Sequence, residues 1–179
     1  VSLMDEYVIP FYGLKEGIHE YDFEIDDSFF EYYQNQDIPG GELKIQIVLD
    51  KKSSLLELEF FIKGEMEVLC DRCLETFSND VDIHEKLFFR FGEHHEELSD
   101  NLIVLGNNET RINVAEYLYE FAVLSLPIQK FHPENEYGES TCDKEMLKKL
   151  NEHKKNEDPA NDDIDPRWEK LKNIKKNNK

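Results

Sequence analysis

A length of 179 residues fits one domain with an appendage, and ~140 of them would bury roughly two-thirds of their unfolded surface. Charged residues are 34% of the chain and the formal net charge is −19, so the body repels RNA and DNA at long range and attracts basic proteins. No stretch approaches the ~18 apolar residues of a transmembrane helix, and no basic region followed by an apolar run marks a signal peptide, so the expectation is a soluble cytoplasmic protein.

In chain order, Tyr21, Phe23 and Ile25 alternate with Asp22 and Glu24, a strand pattern. Asp26-Asp27-Ser28 then caps a short helix through Phe29, Phe30, Tyr32 and Tyr33, and Pro39-Gly40-Gly41 reads as a turn. Leu43, Ile45, Ile47 and Leu49 alternate with polar residues. Leu56, Leu58, Phe60 and Ile62 do the same after Lys51-Lys52-Ser53-Ser54. Lys63-Gly64-Glu65 reads as another turn, and Met66, Val68 and Cys70 as a third strand of an antiparallel meander. Ile83, Leu87, Phe89 and Phe91 mark a fourth strand, the acidic segment 92–100 with His94 and His95 a solvated loop, and Leu102 to Leu105 a short strand.

Asn113, with Glu116 three residues on, opens a helix in a near capping box. Val114, Tyr117, Leu118, Phe121 and Leu124 form its core face, and Pro127 stops it. Beyond Pro133 the chain is polar. Residues 142–155 read as a helix with Met146, Leu147 and Leu150 to bury, and 156–163 as a disordered linker. Asp165-Pro166 opens a short basic helix with Trp168, Leu171 and Ile174 on one face. The charge is split accordingly: residues 1–142 hold 31 carboxylates against 10 Lys and Arg (−21), residues 143–179 hold 9 against 11 (+2). The fold class expected is α+β. An antiparallel meander of roughly five to seven strands packs on one main helix near 113–126. Residues 1–140 are the acidic domain and 141–179 a polar, partly helical or disordered tail.

The short motif with chemistry in it is Cys70-Asp71-Arg72-Cys73. It has three readings. Two thiolates at this spacing can grip one metal ion, with His132 and Cys142 as the remaining ligands of a structural zinc site. A thiol redox pair is the second, although such pairs usually open a helix, which lowers a thiolate's pKa. The third is a tight turn with two partly buried thiols and an exposed Asp-Arg pair. Three cysteines, an odd count, argue against a disulfide framework and fit a reducing compartment. The basic tip joins Arg167, Lys170, Lys172, Lys175 and Lys176 to Trp168, a combination suited to a phosphate backbone and a stacked base, or else a solvated end whose tryptophan docks it on the domain. There is no phosphate-cradling glycine loop, no nucleophilic serine on a strand–turn–helix and no paired-histidine metal motif, so no catalytic residue is nominated and no enzyme is expected.

Three parts of the chain together resemble the YceD-like family, the large ribosomal RNA subunit accumulation proteins. They are the strand and cysteine pair of Met66 to Phe77, the helix ending in Leu124-Ser125-Leu126-Pro127-Ile128 with His132 and Cys142 beyond it, and Asp165 to Lys172. Many members carry a second cysteine pair after the Leu-Pro segment, where this sequence has Cys142 alone. The resemblance implies a non-enzymatic role in accumulation or processing of large-subunit (23S) ribosomal RNA and in ribosome assembly. Its expected partners are that RNA or a ribosomal protein, with no membrane and no DNA. Arg72 would supply a planar charge for phosphate or carboxylate, with the basic tip and Trp168 second. The alternatives are a binding module in which the acidic body shields a basic ribosomal protein, and a zinc or thiol-redox protein built on Cys70 and Cys73.

Overall fold

A computed structural model describes residues 3–155. After a 3-10 turn at Leu3–Glu6, the elements run β1 (Val8–Pro10), β2 (Gly17–Ile25), α1 (Asp27–Tyr33), β3 (Gly40–Lys51), β4 (Leu55–Leu69), β5 (Thr76–Phe91), β6 (Glu96–Ser99), β7 (Leu102–Leu105), β8 (Arg111–Asn113), α2 (Ala115–Ser125) and α3 (Lys144–Lys155). Six strands form one sheet in the order β2-β3-β4-β5-β7-β6, and β1 pairs with β8 in a two-stranded ribbon. The α+β class therefore holds. The sheet is mixed rather than wholly antiparallel, because β7 lies parallel to β5 after the excursion through β6.

Alternation decides which face is covered. Leu43, Ile45, Ile47 and Leu49 of β3 and Leu56, Leu58, Phe60 and Ile62 of β4 are all buried on one face. α2 lies on that face, with Phe121 edge-on to Phe60 at 5.3 Å and Tyr117 edge-on to Phe89 at 5.9 Å. α1 extends the layer. Asp26 caps it by accepting a hydrogen bond from the Ser28 N–H, Phe29 and Phe30 are fully buried, and Tyr33 stacks on Tyr119 of α2 at 3.8 Å. The β1–β8 ribbon closes the layer through Ile9 and Ile112. The opposite face of β2–β5 is open and carries Glu20, Asp22, Glu24, Glu57, Glu59 and Asp82 among its charges.

Lys63-Gly64-Glu65 is no turn. β4 runs unbroken through it for 15 residues, so the expected second and third strands are one. Ile62, Gly64 and Met66 share the inner face in a single phase, which a turn would not preserve. Gly64 sits at φ +154°, and a β-carbon there would collide with the Glu42 carbonyl across the ladder. Gly41, at φ +155°, is likewise within strand β3, with a virtual β-carbon 2.7 Å from the Glu65 carbonyl oxygen. The two glycines permit a close backbone approach between β3 and β4. Gly64→Ala should therefore cost about 2–4 kcal/mol in urea unfolding, against less than ~1 kcal/mol for an alanine at exposed Glu65.

Candidate metal centre

The site is built at the end of the long β4–β5 hairpin, where six residues link Leu69 to Thr76. The Cys70 N–H donates to the Glu75 carbonyl (2.9 Å) and the Leu74 N–H to the Cys70 carbonyl (3.0 Å), folding the link into a knuckle. The Arg72 N–H points at Cys70 Sγ (3.4 Å). The turn is completed by Leu74 at φ 62°, a left-handed conformation that glycine adopts more easily. Cys70 and Cys73 thus face inward while Asp71 and Arg72 remain exposed.

The other two ligands arrive from the chain that returns after α2. Leu126 is extended ahead of Pro127, as a residue before proline prefers, and ends the helix. Reciprocal bonds then dock the return on the knuckle: the Asp71 N–H donates to the Lys130 carbonyl (2.8 Å) and the Lys130 N–H to Asp71 Oδ2 (2.7 Å). His132 follows, its ring 4.9 Å from that of Phe77. The excursion 134–140 closes on itself through the Glu134–Ser140 bridge, and the Thr141 hydroxyl donates to the Pro133 carbonyl (2.7 Å), bringing Cys142 back beside His132. Asp143 caps α3 by accepting from the Met146 N–H (2.7 Å). Met146 and Leu147 pack with Phe77 and Phe131 around the thiols.

Cys70, Cys73, His132 and Cys142 thereby place one ligand atom each within 4.8 Å of one another, with all three thiols buried. Cys70 Sγ and Cys142 Sγ are 3.7 Å apart, and His132 Nδ1 lies 3.4 Å from Cys73 Sγ and 3.7 Å from Cys142 Sγ. A tetrahedral zinc with ordinary bond lengths needs about 3.8 Å between sulfurs and about 3.6 Å between sulfur and nitrogen. The residues fit the ion in type, number and spacing. The sulfur separation is far beyond the ~2.05 Å of a disulfide, and all three cysteines are free. One thiol of the cluster, Cys70, is drawn toward the thiolate. Burial raises the Cys70 thiol, but the Cys73 and Arg72 N–H groups and His132 outweigh it and bring it down to about 6. Burial holds the Cys73 thiol up, with the neighbouring Cys70 and Cys142 thiols adding to the rise, as expected where several sulfurs compete for one charge.

The four residues singled out as ligands are thus brought together. The cysteine pair occupies a hairpin link rather than the start of a helix. Arg72 lies over the Phe131 ring, 4.0 Å from its centroid, a stack that sequence alone did not signal. Arg167, Trp168, Lys170, Lys172, Lys175 and Lys176 lie outside the described residues. His95 pairs with Glu109 at 3.1 Å and takes no part in the cluster.

The fold is an open α+β sheet carrying, on a hairpin knuckle, a Cys3His group whose spacing could hold a metal ion. The particular family follows from comparison: the model of the large ribosomal RNA subunit accumulation protein YceD matches residues 58–175, two-thirds of the chain, and the chain belongs to that family. No curated protein and no solved structure matches it. Among the described residues no helix is long and apolar enough to cross a membrane.

Two outcomes are expected. Protein purified without chelator should carry about one zinc per chain by elemental analysis, and Cys142→Ser should lower both zinc content and melting temperature. Leu74 is 68% exposed. Leu74→Gly should therefore leave stability unchanged or raise it by up to ~1 kcal/mol, whereas the β-branched Leu74→Val should lower it by about 1–2 kcal/mol in denaturant titration.

Proposed function

We propose that this protein is a non-enzymatic cytoplasmic factor for accumulation and processing of large-subunit (23S) ribosomal RNA, acting during ribosome assembly. In this reading a structural zinc held by Cys70, Cys73, His132 and Cys142 supplies a cross-link with no open coordination position, and so no chemistry on a substrate. The cross-link holds the knuckle that presents Arg72 to the assembling particle. The observation that carries the reading is the placement of Arg72. It is exposed, has no carboxylate partner among the described residues, and its guanidinium lies over the Phe131 ring beside the cluster, 4.0 Å from the centroid. A stacked guanidinium keeps its N–H edge directed outward for phosphate or carboxylate. α3, which packs on the same cluster, adds the exposed Lys144, Lys148 and Lys149. These cations stand beside Asp71, Glu75, Asp143 and Glu145 of the same segments, and the cations at 167–176 are the second candidate contact.

A second reading, a holder for a basic ribosomal protein, is favoured by the open, carboxylate-rich face of β2–β5. Affinity capture of the tagged protein from its own cells, with and without ribonuclease, separates the two. The first expects large-subunit RNA in the capture and loss of the associated proteins on ribonuclease treatment. One basic ribosomal protein surviving ribonuclease would instead establish the holder. Arg72→Ala and Cys70→Ser should each reduce large-subunit ribosomal RNA in cells. Unchanged levels in both would remove the knuckle from the function.

A further inference from the structure

Between α2 and the sheet edge formed by β5, β7 and β6 runs a groove of about 900 Å³. Tyr117, Phe121 and Leu124 of α2 form one wall, with Ile83 and Ile103 in the floor and Leu98 on the opposite lip. Leu124, expected on the core face, is instead 80% exposed, and Leu98 is 49% exposed, so the lips present apolar surface to solvent. The rim is acidic: Glu97, Asp100, Glu116 and Glu120 surround the opening. Lys86 is the one cation among the described lining residues, and its ammonium is engaged on the other face of the sheet by Glu57 and Glu59. The carboxylates are close enough to feel one another. Burial, then Glu116 and Glu97, raise the Glu120 carboxyl above its ordinary range. An apolar floor under an unneutralised acidic rim suits a short basic segment with one apolar face.

Such a segment exists in this chain. Residues 165–176 place Trp168, Leu171 and Ile174 at helical spacing and carry Arg167, Lys170, Lys172, Lys175 and Lys176 against Asp165 and Glu169. As a helix, twelve residues would span about 18 Å, close to the ~16 Å of the eleven-residue α2. α3 is anchored on the cysteine cluster, which the chain reaches from the end of α2 within seven residues, Ser125 to His132. The nine residues 156–164 can extend about 30 Å beyond α3.

We propose that the α2 groove is the docking site of the chain's own segment 165–176, with Trp168, Leu171 and Ile174 on the apolar floor and the cations among the rim carboxylates. The proposal concerns the chain alone and is read from Trp168 rather than from ribosomal RNA; if it holds, the cations at 167–176 are engaged within the chain and the Arg72 knuckle is left as the RNA contact. Trp168 is the one tryptophan of the protein, so the emission of the full-length chain reports on this segment. The expected result is emission blue-shifted from that of the guanidinium-unfolded protein, protected from acrylamide and independent of protein concentration. Leu124→Asp, and separately Glu116→Lys with Glu120→Lys, should shift the emission to the red and abolish the protection while leaving far-ultraviolet circular dichroism unchanged. Glu20→Lys on the open face should do neither. Three results would overturn the proposal: Trp168 already exposed in the unaltered chain, protection that both groove variants leave intact, or protection that disappears on dilution, which would place the segment in a second copy.

Discussion

Four side chains from three separate stretches of sequence converge at the end of the β4–β5 hairpin, and the path of the chain beyond α2 depends on that convergence. Up to Ser125 the structure is held by burial, with a continuous apolar face of the sheet under α1, α2 and the β1–β8 ribbon. Beyond it the apolar supply is thin. Among the described residues Leu126 still packs on the main core, and after it Phe131, Met146 and Leu147 pack around the thiols instead. A segment so polar buries too little surface to offset its own ordering entropy. A metal held by the Cys3His cluster would supply what burial does not, and two bonds, from the Asp71 N–H to the Lys130 carbonyl and from the Lys130 N–H to Asp71 Oδ2, set its register.

This arrangement also gives the electrostatics a direction. The body carries a large negative charge, which opposes any approach to RNA except where cations are gathered. In the proposed reading, Arg72 over Phe131 and the exposed lysines of the helix beside it supply those cations. A lesion in the four ligands would then reach the partner through geometry rather than through chemistry.

Much of this was legible in the sequence, and the failures have physical causes. The alternation of Leu43 to Leu49 and of Leu56 to Ile62 identified the covered face, because period-two burial is set locally. Gly64 misled because glycine serves both turns and close strand crossings. The discriminating signal was the parity of Ile62, Met66 and Val68, which carries straight through it. The parallel pairing of β5 with β7 was not legible, since it depends on where an exposed four-residue strand, β6, lays the chain. The ligand set could be assembled from residue types alone. Its closure could not, because it rests on the reciprocal bonds of Asp71 with Lys130 and on the turn at Leu74, which leave no compositional trace. The Arg72–Phe131 stack was invisible for the same reason.

The most direct test of the central claim is zinc K-edge X-ray absorption on the full-length protein. A Cys3His centre predicts a first shell of three sulfurs near ~2.3 Å and one imidazole nitrogen near ~2.0 Å, with loss of sulfur amplitude in Cys70→Ser. Absence of stoichiometric zinc, or a shell of oxygen and nitrogen alone, would contradict the account and leave the polar return after α2 without the cross-link that explains it.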